Sequence, residues 1–525
     1  MIFPLTSSRD NSRPDLRILL ASVFIIATCG ILYELLLGSI STYFLGSSIL
    51  QFSITIGLFM FFMGVGSYLS RFIKENLLEA FIYIEIILSI VGGFSALILY
   101  AGFTLTENYY LIVVFIIALI GTFVGLEIPL IARIINQYSS IRETMANVLS
   151  FDYIGALLAS LIFPLVLLPY YGVMKTAFIV GIINCGVAIF NAISFKHLIK
   201  KFQNIFISSL VTILILLVGF IYSFRINSFF EQLLYQDDIL LTRQSQYQRI
   251  IVTKWNQDFR LFLNGHLQFS SVDEYRYHEP FVHVPMLTAF NHENILVLGG
   301  GDGMAVREIL KYPEVKKIDV VDLDPEMTKL ASEHFLFTNL NENSLNNAKV
   351  KIHNEDAFNF IKKSSEIYSA ILIDLPDPND TGLGKLYSKE FYQMLSKRLA
   401  LDGVMVTQAT SPYFARNAFW CIVHTLQSVF PVVVPYTTYV PTFGQWGFVM
   451  AGNKIRIDST DNYIKALQTK LAEQKFHTGL KYVYPNLIPS LFIFDNDINE
   501  IPTDTNTLNT QKLVNYYETS AREWQ

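Results

Sequence analysis

The chain has 525 residues, 52% of them hydrophobic and only 16% charged, with a formal net charge of −5. An ordinary soluble domain carries roughly 25% charged residues, so this composition excludes a chain that is soluble throughout, and the acidic balance excludes a basic surface for nucleic acid. Cys29, Cys185 and Cys421 stand far apart, with neither metal-ligand nor redox spacing.

In chain order, the apolar excess comes first and ends before Asn227. Stretches of bilayer-spanning length run approximately over residues 16–37, 49–69, 78–103, 109–132, 148–168, 173–193 and 205–224, which predicts about seven transmembrane helices. The first is too long for a cleaved signal peptide, and no small-residue cleavage site follows it. Basic residues fall on alternate loops: Arg9, Arg13 and Arg17, then Arg71 and Lys74, Arg133 and Arg142, and Lys196, Lys200 and Lys201, against little beyond Lys175 on the other side. The positive-inside rule therefore places the N-terminus in the cytoplasm. Glu34, Glu85, Glu127 and Asp152 lie within or beside the apolar runs. Such acids face a protein interior or a watery cavity, so they either line a cation-attracting space or join helices by hydrogen bonds.

After Asp237 short strands alternate with polar turns. "QSQYQRIIVTKW" and "FRLFLNGHLQFS" predict a small antiparallel sheet of hairpins. Strands at 295–298, 317–321, 349–353, 370–373 and 404–407 then alternate with helices opening near Met304, Pro325 and Ser388. That alternation predicts a mostly parallel sheet covered on both faces. "VVVPYTTYV" and "GFVMAG" read as an antiparallel edge hairpin, and "DNYIKALQTKLAEQ" as an amphipathic helix in a tail to which no chemistry is assigned.

The chemistry gathers where such sheets bind ligands, at the carboxyl ends of their strands. Asp302 follows the first strand in "GGGDG", Asp322 ends the second, Asp356 follows the third, and Asp374 and Asp377 follow the fourth in "DLPDP". An acid about twenty residues after a glycine loop suits a ribose diol. Gly299 and Gly301 let the backbone approach a nucleoside, but Asp302 within the loop repels a phosphate or a methionine carboxylate and attracts an amine. The ligand that fits is a sulfonium nucleoside without its carboxylate, decarboxylated S-adenosylmethionine.

Together, Glu279 preceded by Tyr277 and His278, "GGGDG", the acid at the second strand tip, "D-x-x-D-P", Gln408 and "VPTFGQWGF" resemble the spermidine synthase (polyamine aminopropyltransferase) family over roughly residues 237–453. The apolar half is similar to that of bacterial membrane-integrated members. The resemblance implies a multi-domain chain: a polytopic α-helical membrane domain (1–226), a small antiparallel β-sheet (227–290), an α/β Rossmann-like domain of methyltransferase type (291–453) and a helical tail (454–525). It implies that Gln248 and Asp322 hold the ribose and sulfonium side of the nucleoside, and that Asp356 with the backbone at Ala357 reads the adenine. It further implies that Asp302 binds the aminopropyl amine, that Tyr277, His278 and Asp377 position the amine acceptor beside Gln408, and that Asp374 takes its proton. An ammonium is no nucleophile until it loses a proton, so a carboxylate must serve as base. The implied reaction makes spermidine from putrescine or a related amine, with no tightly bound cofactor and no metal, in a membrane-bound protein; a homodimer is one assembly open to it, and the sequence leaves the oligomeric state undetermined. Other readings are a second kind of amine transferase, or a polyamine transporter or sensor.

Departures from the family pattern bear on the acceptor. "DLPDP" replaces a Ser- or Thr-containing version, Ala357 replaces Gly, Phe443 stands where Tyr is common, and the loop after Pro378 is a residue longer. A nucleoside made in the cytoplasm places the catalytic domain inside, whereas N-terminus-in with seven crossings places it outside. A re-entrant stretch at 109–132, broken by Glu127 and Pro129, would bring the domain inside but strand Lys196, Lys200 and Lys201 outside, so the inside placement rests on cofactor supply alone.

Overall fold

The computed structural model describes residues 16–45, 48–137, 140–235, 237–455 and 459–524, so Arg9 and Arg13 of the basic N-terminal segment lie outside the described residues. The chain forms two compact units, Met1–Gln236 and Asp237–Gln525.

The first unit is helical: α1 (Leu16–Leu45), α2 (Ser48–Leu69), α3 (Leu77–Leu105), α4 (Tyr109–Asn136), α5 (Ile141–Ile162), α6 (Leu168–Ser194) and α7 (Phe202–Leu234). Because α7 runs on to Leu234, this unit extends past the expected boundary at 226. Among the described residues, six helical runs are long and apolar enough to cross a membrane, counting 142–194 as one run of 53 residues. That run is bent rather than straight. Pro164 has no N–H to donate, the turn at Phe163–Leu167 widens to a π-helical one, and Gly172 leaves the helix at φ 68°. Outward-facing Ile207, Leu210, Leu214, Ile221 and Phe224 give α7 an apolar exposed side.

The expected re-entrant break does not occur: α4 is continuous from Tyr109 to Asn136 with Pro129 inside it. A proline removes one helical donor, a loss that packing of α4 along α2 and α3 outweighs. Of the acids, Glu127 and Asp152 line a cavity between α1, α2, α4 and α5, whereas Glu85 is fully buried.

The second unit opens with β1 (Asp238–Gln244), β2 (Arg249–Trp255), β3 (Asp258–Leu263) and β4 (His266–Ser270), paired in that order as an antiparallel sheet. Asn264-Gly265, both at positive φ, closes the last hairpin as the sequence pair predicts. Then follow α8 (Tyr275–Thr288), β5 (Asn294–Gly299), α9 (Met304–Ile309), β6 (Lys317–Val321), α10 (Pro325–Glu333), α11 (Phe335–Leu340), β7 (Val350–His353), α12 (Ala357–Lys363), β8 (Tyr368–Asp374), α13 (Thr381–Gly384), α14 (Lys389–Ser396), β9 (Leu399–Gln408), α15 (Arg416–Gln427), β10 (Val432–Val440) and β11 (Gly444–Gly452). The seven strands order as β10-β11-β9-β8-β5-β6-β7, all running one way except β11, which is antiparallel to both β9 and the edge strand β10. Both faces are covered: Ile295 and Val297 join one core and Leu296 and Leu298 the other. Strand order reverses between β5 and β8, which opens a crevice at their carboxyl ends.

The last segment, with α16 (Thr460–Glu473), α17 (Ile488–Leu491) and α18 (Lys512–Glu523), belongs to this unit. Glu279 of α8, buried, accepts the backbone N–H groups of Lys481, Tyr482 and Val483 at 2.7, 2.9 and 2.8 Å. Glu279→Gln turns one acceptor oxygen into a donor facing donors, and is expected to destabilise the second unit by about 1.5–3 kcal/mol. All four tryptophans lie in this unit, so a urea titration read by their fluorescence reports it alone.

Candidate active site

The crevice is built on the turn from β5 into α9. Gly299 and Gly303 sit at φ 79° and 81°, and a Cβ on Gly299 would fall 2.0 Å from the Asp374 carbonyl oxygen. At Gly301 a Cβ would fall 2.4 Å from the Asp322 carboxylate. Both glycines are therefore required by close approach, and the approach joins the ends of β5, β6 and β8 in one crevice.

Asp322 accepts the N–H groups of Gly301 at 3.1 Å and Asp324 at 2.9 Å, while enclosure by the surrounding protein pushes its carboxyl up to about 6. Gln248 reaches the same strand end, but its amide donates to Asp324 at 2.8 Å. Asp324 in turn caps α10, so Gln248 ties the small sheet to the β6 side of the crevice. Asp302 accepts the Met304 N–H at 2.9 Å and sits close enough for its charge to raise Asp322 and Asp374.

Asp374 ends β8 half-buried. Its Oδ1 accepts the Tyr277 hydroxyl at 2.6 Å. Enclosure raises it to about 6, opposed by the charge of His278 and reinforced by that of Asp302. Asp377 accepts from Gln408 at 3.3 Å, Thr410 at 3.4 Å and Tyr517 at 2.8 Å, and enclosure again raises it to about 6.

Three residues have surroundings that differ from those expected. Gln408 donates to the Leu375 carbonyl at 2.7 Å and accepts the Thr410 N–H at 2.8 Å, so its amide braces the Asp377 turn from within the protein. His278 places Nδ1 2.9 Å from a Glu274 carboxylate oxygen. Burial lowers its basicity, but Glu274 more than offsets this and lifts it to about 8. The charges of Asp302 and Asp374 raise His278 further, and the charge of His278 opposes the rise of Asp374, so the structure ties His278 to Glu274 and to these two acids. Asp356 accepts the Asn359 N–H at 3.0 Å as the cap of α12, next to buried Ala357, and pairs with Lys385 at 2.7 Å. An adenine amino group would have to share that carboxylate with Lys385.

The sequence reading missed the charges behind the crevice. Glu274 grips Arg307 through two bonds of 3.0 and 2.9 Å, and Arg307 also bonds Glu308 at 2.9 Å. The i, i+4 spacing of Glu274 and His278 was the available signal. Tyr517 was missed as well.

A model of the spermine/spermidine synthase domain matches residues 274–461. The polyamine aminopropyltransferase of Leptospira interrogans is 44% identical over 96% of this chain and 98% of its own length, so the likeness runs through both units. That of Oceanobacillus iheyensis is 38% identical over 97% of this chain and 98% of its own. A crystal structure of spermidine synthase with the transition-state analogue AdoDATO aligns with TM-score 0.46 and 25% identity, covering 49% of this chain and 86% of that one.

Proposed function

Because the chain belongs to the polyamine aminopropyltransferase family, we propose that its second unit moves the aminopropyl group of decarboxylated S-adenosylmethionine to putrescine, giving spermidine and 5'-methylthioadenosine. One observation carries the choice of substrates. Asp302, Asp322, Asp374 and Asp377 converge on one crevice and accept their hydrogen bonds from neutral donors, and the charge of His278 offsets only part of theirs, which leaves the rest for cationic ligands.

The chemistry follows from where each acid stands. Asp322 takes the ribose and Asp302 the aminopropyl ammonium, while Asp377 holds the far ammonium of the acceptor. Asp374 removes a proton from the near amine, with the Tyr277 hydroxyl fixing its other oxygen. The freed lone pair attacks the carbon next to sulfur, the carbon–sulfur bond breaks, and its electrons neutralise the sulfonium. A sulfonium is already a good leaving group, so holding the two substrates together supplies much of the rate. Purified protein given putrescine with decarboxylated or ordinary S-adenosylmethionine tests this: spermidine should form only with the first. Consumption of the second instead would reject the reading.

Asp302→Asn is expected to narrow the preference for the decarboxylated nucleoside by roughly 1–3 kcal/mol, the size of a like-charge contact in an enclosed crevice. Isothermal titration with both nucleosides measures the ratio, and an unchanged ratio would remove Asp302 from that role.

We further propose that α1 to α7 lie in a bilayer, supported by their length and the apolar outer side of α7. The catalytic unit is assigned to the cytoplasm, where its nucleoside is made, against the loop charges and the odd helix count. Lys465→Cys, on an exposed position of α16, is expected to resist an impermeant thiol reagent in intact cells until they are permeabilised. Cys29, Cys185 and Cys421 are buried and give little background. Labelling without permeabilisation would place the unit outside.

A further inference from the structure

We propose that Tyr517, on the C-terminal helix α18, is an acceptor-positioning residue: its hydroxyl donates to Asp377 Oδ2 at 2.8 Å and fixes that carboxylate for the far ammonium of the amine. The proposal rests on the reading of Asp377 given above.

Three features support it. Tyr517 gives Asp377 a shorter bond than Gln408 at 3.3 Å or Thr410 at 3.4 Å. Phe443, at the position where the resembling family commonly carries Tyr, has no hydroxyl, and its ring lies 5.2 Å from that of Trp446. The phenol that Asp377 does receive comes from 140 residues further along the chain.

The helix that brings it is fastened at both ends to the loops that shape the acceptor end. Near its start, the Asn506 side chain accepts the Leu513 N–H at 3.3 Å and donates to the carbonyls of Gly384 and Tyr387 at 2.9 and 3.2 Å. Those carbonyls lie on the segment that follows Asp377. At its end, the Trp524 indole donates to the Phe414 carbonyl at 3.1 Å and its ring packs 4.9 Å from Phe414, on the loop after Gln408 and Thr410. Leu513 is fully buried between these anchors.

A phenol suits the task. It is a neutral donor, so it orients the carboxylate without competing with an ammonium for its charge. Enclosure pushes its own ionisation well above the usual tyrosine range, which keeps the proton on oxygen. Its donation opposes the rise of the Asp377 carboxyl, so losing it shifts Asp377 ionisation to higher pH.

The test uses the full chain in detergent, with putrescine as the amine. Tyr517→Phe removes one oxygen and keeps the ring. It is expected to raise KM for putrescine roughly tenfold or more, the worth of one hydrogen bond to a charged group. KM for the nucleoside should hold, and the acid limb of kcat/KM for the amine should move to higher pH. Asp377→Asn should raise KM for putrescine by itself, and adding Tyr517→Phe to it should change little further. If Asp377→Asn raises KM and Tyr517→Phe does not, the proposal for Tyr517 is overturned while the reading of Asp377 stands. If Asp377→Asn leaves KM unchanged, both fall. Equal loss for the two substrates with a lowered melting temperature would make Tyr517 a structural residue only and overturn the proposal.

Discussion

Asp374→Asn is expected to lower kcat by a factor on the order of a hundred to ten thousand, while the protein still binds the nucleoside. The amide cannot take the acceptor's proton, and an ammonium without that loss has no lone pair to attack with. The oxygen it keeps can still accept the Tyr277 hydroxyl, which stands 2.6 Å from Oδ1, so the crevice should retain its shape. The wild-type enzyme should lose kcat as pH falls through about 6, where the carboxylate gains its proton. The variant's residual rate should lack that limb.

Stability separates this loss from misfolding. Enclosure raises the Asp374 carboxyl from 3.8 to about 6, so the folded protein holds this proton at pH values where the unfolded chain has released it. A carboxyl shifted in that direction makes folding less favourable as pH rises across the interval, and it remains so above it. The ligand-free Asn variant should therefore be at least as stable as wild type at pH 7. A clearly lower melting temperature together with the lost activity would withdraw Asp374 as the base.

Arg307→Met is expected to cost about 3–5 kcal/mol, the price of leaving a buried ion without its partner. The guanidinium is almost wholly enclosed and bonds Glu274, Glu308 and the Leu340 carbonyl. Without it both carboxylates stay buried, with His278 left beside Glu274 and with His283 and Lys311 left beside Glu308. The pH dependence gives a second readout. Burial would push Glu274 up, but His278 and Arg307 pull it down to about 2. A lowered carboxyl contributes stability above its unfolded value of 4.5, and that contribution is lost as pH falls towards about 2. In the Met variant this acid-side slope should flatten. Arg307→Lys should recover part of the stability, because it restores the charge but not the two-pronged grip. Wild-type stability in the Met variant would mean that this cluster does not hold the crevice.

Much of this molecule was legible in the sequence because it is written in local patterns. Apolar runs of spanning length predicted the helices of the first unit. Buried strands followed by turn residues placed β5 to β9, and the glycine loop with its built-in Asp302 pointed to the ligand. Such features depend on neighbours a few residues away, where the periods of helix and strand and the φ of glycine leave a mark. The continuity of α4 through Pro129 was not legible, because it depends on what packs beside that turn and not on the turn itself.

Partnerships between distant residues were decided only by the tertiary structure. Nothing around Gln248 announces that it meets Asp324, nor around Glu274 that it grips Arg307 across 33 residues. The expected role of His278 came from its residue type, whereas its charge comes from Glu274, which outweighs the opposing effect of burial. The tail carried no motif, yet Glu279 anchors its backbone and Tyr517 returns it to Asp377. A hydrogen bond between remote segments needs only one donor and one acceptor in reach, and that imposes no period or spacing on either segment. Chain order could therefore name the acids of this crevice, and only folding could decide which neighbours hold them.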